Sequence, residues 1–158
     1  TQLTKRKDHQ GNGLLFIEEI ILKNKKGDQV NEIFIGDYLE IEFIFTKNIN
    51  VDMSKLIVSC GFEDTYGNRT NEWISDEMQH DFTKNRNSIR LIIPSLLIRP
   101  NNYFIHYKFM LGTTDPKNIA DSLHFAKQIH IMPYSLFSES MNLKEGRGHE
   151  AIVMAKFI

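Results

Sequence analysis

The segment Tyr38-Leu-Glu-Ile-Glu-Phe-Ile-Phe45 places Leu39, Ile41, Phe43 and Phe45 on one parity and Tyr38, Glu40 and Glu42 on the other. A period of two cannot gather its apolar side chains on one face of a helix, so this stretch is a half-buried strand. The same pattern recurs along the chain. Leu56, Val58, Cys60 and Phe62 share a parity in 55–63, as do Tyr103, Ile105, Tyr107, Phe109 and Leu111 in 103–111. Further strands are expected at 14–22, 30–35, 88–93 and 123–131. Turn chemistry separates them: Gly27-Asp28, Gly36-Asp37, the Asp64 to Asn68 turn with Gly67, Pro94, Pro100 and Asp115-Pro116. About seven short strands with no helical stretch before Pro133 define an all-β antiparallel sandwich. A short helix over 134–144 would not change that class.

Composition narrows the function. The chain has 158 residues, enough for one domain with a real core, and its 41% hydrophobic and 25% charged content is that of a globular protein. A formal net charge of −1 without a basic block argues against a nucleic-acid partner. Cys60 is the single cysteine, so no intramolecular disulfide forms. No apolar run reaches the roughly 18–20 residues of a membrane helix. The polar start carries no signal-peptide core. His106, His124 and His130 share a parity, yet no H-x-x-x-H or C-x-x-C spacing accompanies them and Cys60 points inward, so no metal or other cofactor is expected. Glu18-Glu19, Asp64 and Asp76-Glu77 offer no supported acid–base pairing, so catalysis is not expected either.

Several pieces, in order, resemble the C-terminal carbohydrate-binding domain of the ATP-binding subunit of bacterial O-antigen polysaccharide ABC exporters (Wzt-type). They are Phe16 to Leu22 with its following Gly-Asp turn, Ile35-Gly36-Asp37 leading to Ile41, Cys60-Gly-Phe-Glu-Asp-Thr-Tyr-Gly67, Ile93-Pro-Ser-Leu-Leu97, Asn102-Tyr103-Phe-Ile105 and a closing strand around Phe125. The resemblance covers about residues 13–132. It departs at Asn102, where the family carries Gly, at Asn68 to Trp73, and after Ser135.

The resemblance implies an immunoglobulin-like sandwich on the cytoplasmic face of the bacterial inner membrane. It would recognise the modified non-reducing end of a lipid-linked O-antigen polysaccharide before export. Residues 1–12 would then be a linker from an ATP-binding domain upstream, which would contact the membrane-spanning exporter subunit. The absence of a G-x-x-x-x-G-K-S/T phosphate loop agrees with that division. Residues 13–158 would be the binding domain, a homodimer with 149–158 as an exchanged strand.

In an immunoglobulin-like order the strands 55–63, 103–111 and 123–131 are neighbours. Their outward parity gathers Ser59, Gly61, His106, Lys108, His124, Gln128 and His130 into a polar platform for sugar hydroxyls or an anionic end group, with Glu63 on the same parity. Trp73 and Tyr66 are expected at its edge as stacking surfaces, beside Asp64, Asn68, Arg69 and Asn71. The other reading is a structural or adhesive module that binds protein, kept open by Phe104 and Met110 on the same parity.

Overall fold

The computed structural model describes residues 3–134. Both the helix expected at 134–144 and the strand at 149–158 fall outside that span, save for Tyr134. Eight strands follow one another: β1 Leu15–Lys23, β2 Glu32–Phe34, β3 Leu39–Lys47, β4 Leu56–Glu63, β5 Trp73–Ile74, β6 Ser88–Ile93, β7 Asn101–Leu111 and β8 Ile119–Met132. They form two packed sheets, a three-stranded one in the order β1-β3-β6 and a five-stranded one in the order β2-β8-β7-β4-β5. All pairings are antiparallel except one. Edge strand β2 runs parallel to β8, so the larger sheet is mixed rather than purely antiparallel as expected.

The alternation read from the sequence is what fills the space between the sheets. Leu39, Ile41, Phe43 and Phe45 from β3 face Tyr103, Ile105, Tyr107 and Phe109 from β7, all fully buried. Phe43 meets the rings of Tyr107 and Phe109 edge-on at 5.8 and 5.4 Å. Each such side chain contributes about 1.5–3 kcal/mol through burial, with a further ~1 kcal/mol for edge-to-face ring geometry. At the start of β7 the Tyr103 hydroxyl donates to the Arg99 carbonyl at 2.7 Å, the tyrosine corner of immunoglobulin-like sandwiches. Burial pushes the Cys60 thiol up, which leaves it an inert core side chain.

The segment expected as a linker is packed onto the sandwich. Leu3, in a 3-10 turn over Leu3–Lys5, is 1% exposed within the core, and Gln10 pairs with Ser122 of β8. The His9 ring stacks on Phe16 at 4.4 Å. Its Nδ1 lies 2.8 Å from the buried Asp121 carboxylate, which also accepts the Ile17 amide at 2.8 Å and the Tyr107 hydroxyl at 3.1 Å. Burial and the adjacent Asp121 push the Tyr107 hydroxyl far up, so it remains a donor. One carboxylate thus joins the leading segment, β1 and β7 to β8.

Candidate functional site

The three strands expected to be neighbours are neighbours: β4, β7 and β8 lie side by side in the larger sheet. Register aligns Ser59 with Lys108, Gly61 with His106, Phe104 with Gln128 and Asn102 with His130, so the outward set shares one face. Sharing a face proves different from sharing exposure.

Half of this face is covered. Residues 69–72 fold back over β4, and the Glu72 carboxylate accepts from the Ser59 hydroxyl. A Cβ on Gly61 would stand 2.1 Å from the Asn71 carbonyl oxygen and 2.8 Å from His106 Nε2, so only glycine fits beneath this cover. Ser59, Gly61 and His106, expected as contacts, are therefore buried, His106 to 1% exposure with no partner for its Nε2. Burial, with Arg69 nearby, holds the His106 imidazole below its usual range. Lys108 is half-buried at the rim of a depression of about 160 Å³, which Ser59, Arg69, Glu72 and Thr114 also line.

The other half is open. His124 and Gln128 are exposed, and the half-buried His130 shares a hydrogen bond with Asn102 at 2.8 Å. Between them β8 departs from regular pairing: Tyr107 aligns with Leu123 but Ile105 with Lys127, so three residues of β8 face His106 alone. Within this bulge Phe125 adopts φ +50°, the left-handed region that a bulky side chain rarely enters. The bulge adds two residues, so the alternation on either side stays in phase and His124, Gln128 and His130 keep their expected side. Phe125, which strict alternation would turn inward, instead emerges at the surface, 39% exposed.

Glu63 holds this bulge. Its side chain reaches past β7 and accepts the Phe125 amide at 2.6 Å and His124 Nδ1 at 2.9 Å while wholly buried. Arg6 holds the bulge through its carbonyls, donating to Phe125 at 2.6 Å and His124 at 3.0 Å. Asp8 fixes the Arg6 guanidinium by a hydrogen bond that raises the Arg6 pKa and lowers its own. His124 lies nearly parallel to His106 at 6.1 Å.

Tyr66 is 89% exposed, at the tip of the turn after β4. Asp64 fixes that turn by accepting from the amides of Tyr66 and Asn68 at 2.8 and 2.9 Å. Burial opposes ionisation of Asp64, but these bonds and the Asn68 side chain hold its carboxyl below the usual range. Trp73 does not join this face. It pairs with Cys60, packs edge-on against Phe62 at 5.7 Å, and lines a pocket of about 320 Å³ between edge strands β5 and β6. Met110, which kept a protein-binding surface in view, is 3% exposed.

Glu63, Phe125 and Arg6 are thus central to the open half without having been singled out as contacts. Glu63 had the right parity, but no spacing rule marks a left-handed phenylalanine. Among the described residues no group of three or more His, Cys, Asp or Glu side chains could hold a metal ion, and no helix is long and apolar enough to cross a membrane.

No protein-family model matches the chain, and no curated protein matches it. Among solved structures, the crystal structure of the C-terminal domain of Wzt superimposes with a TM-score of 0.69 at 9% sequence identity, over 96% of this chain and 95% of that one. The chain is therefore similar in fold, along nearly its whole length, to the Wzt C-terminal domain.

Proposed function

We propose that this domain binds carbohydrate and does no chemistry, recognising the modified end of a lipid-linked O-antigen polysaccharide for export by an ABC transporter. The observation that carries this reading is the open half of the larger sheet. Exposed Phe125 and Tyr66 rings offer stacking surfaces beside the exposed polar ends of His124 and Gln128. Sugars present this mixture of C–H faces and hydroxyls, and a rigid sheet holds such groups in fixed spacing. The full-length likeness in fold to the Wzt C-terminal domain supports the same reading. In this reading the domain works at the cytoplasmic face of the inner membrane, attached to an ATP-binding domain, as a homodimer.

A protein-binding role has less to rest on. Met110 is buried, and Phe104 is half-buried with its ring packed edge-on to Phe125 at 5.3 Å. Titration of the labelled domain with lipid-free polysaccharide of the source strain, followed by NMR, tests the proposal. Saturable shifts are expected at His124, Phe125, Gln128 and Lys108. No binding at millimolar concentrations would overturn it.

A further inference from the structure

Phe125 occupies the left-handed backbone conformation that glycine takes without steric cost and in which a phenylalanine is strained. The residue is not drawn fully into the core in return, since it stays 39% exposed. Nor is the bulge an accident of a loose edge. β2 pairs with β8 only at His130 to Met132, but the bulge is held at four points, by Glu63 from across β7 and by Arg6 on its carbonyls. Strain kept in place by surrounding groups marks a position set for a purpose other than stability.

What the bulge presents is specific. The Phe125 ring stands edge-on to Phe104 at 5.3 Å, and its tip lies against Gly67, where an added Cβ would come within 3.4 Å. Gly67 adopts φ +82°, and the turn it closes carries Tyr66 into solvent. The polar groups flanking the rings, His124 and Gln128, are exposed. From these placements we infer that the Phe125 bulge is a preorganised stacking subsite for a pyranose with an apolar face, a patch of axial C–H bonds. Tyr66 is a second stacking surface, His124 and Gln128 read the ring's hydroxyl edge, and Glu63 is a positioning residue that acts through Phe125. This inference rests on the carbohydrate reading above and names where on the face, and by which chemistry, the sugar is held.

The test compares Phe125→Gly, Tyr66→Ala, Glu63→Gln and the double variant Glu63→Gln/Phe125→Gly with the unaltered domain, by calorimetry with the lipid-free polysaccharide. Glycine accepts the left-handed backbone, so Phe125→Gly is expected to keep or raise the Tm while weakening binding about tenfold, the loss of one good aromatic contact. Tyr66→Ala, at a fully solvated position, is expected to leave the Tm unchanged and weaken binding about fivefold. Glu63→Gln is expected to weaken binding in the unaltered background but to add nothing once Phe125 is gone, a coupling that a purely structural role would not show. Phe125→Tyr is expected to restore affinity.

Retained affinity in both Phe125→Gly and Tyr66→Ala overturns this subsite and leaves the carbohydrate reading standing. Absence of binding by the unaltered domain overturns both. Unchanged sugar affinity with loss of self-association in Phe125→Gly also overturns the subsite, because the rings would then form an interface between copies of the chain.

Discussion

Asp121 and Glu63 are both buried carboxylates, and each accepts from a backbone amide and contacts a histidine Nδ1. Their partners separate them. Asp121 faces the interior and collects His9, Ile17 and Tyr107, from three distant parts of the chain. Glu63 lies on the outer face and collects two consecutive residues of one bulge, both with exposed side chains. The same chemistry thus closes the fold in one place and shapes a surface in the other. Burial of a charged group is therefore a poor guide to its role until the destinations of its hydrogen bonds are known.

That comparison breaks most directly at Asp121. Asp121→Ala strands the Ile17 amide, the Tyr107 hydroxyl and the His9 ring at once, and is expected to cost about 3–5 kcal/mol of stability by chemical denaturation. A loss below about 1 kcal/mol would mean that the interior carboxylate is no more structural than the outer one. Gly61→Ala comes next, because its Cβ would collide with the Asn71 carbonyl oxygen at 2.1 Å. About 1–3 kcal/mol is expected, with faster amide exchange over 69–72 as the cover lifts. Glu63→Gln keeps an acceptor for the Phe125 amide and weakens only the His124 contact. About 1 kcal/mol is expected, with exchange accelerated at 124–126 and unchanged at Ile17. Acceleration at both places would erase the distinction between the two carboxylates.

The strands were legible because period-two alternation survives burial, and even the outward parity of His124, Gln128 and His130 held, since the β8 bulge inserts an even number of residues. Parity fixes direction, but it does not report what lies above a face. Ser59 and His106 point outward and are buried because residues 69–72 return over them, a contact that Gly61 permits and no local pattern announces. Trp73 shows the same limit. Its neighbours in sequence lie over the outer face, yet pairing with Cys60 turns its own ring toward Phe62 and the gap between the sheets. The leading segment reads as polar because Leu3 is a lone apolar residue among charges. Its docking depends on Asp121 and Phe16, which are distant in the chain.

The smallest expected effect tests the covered half of the outer face through pH. Burial, with Arg69 beside it and His124 adding to it, lowers the His106 pKa, while Glu63 and Glu72 act the other way. The folded imidazole therefore binds its proton less readily than the unfolded one, whose pKa is about 6.5. Above that pH both states leave His106 neutral and its contribution is constant. As the pH falls below it, the unfolded chain takes up the proton first and stability declines, levelling once the folded ring is also protonated. His106→Phe removes this dependence, so its stability curve should be flatter below about pH 6.5 than that of the unaltered domain. In Gly61→Ala, where the cover is lifted, the slope at His106 should shrink as water reaches the ring. An undiminished slope there would show that the cover is not what desolvates His106, and that the two halves of the face differ less than their burial implies.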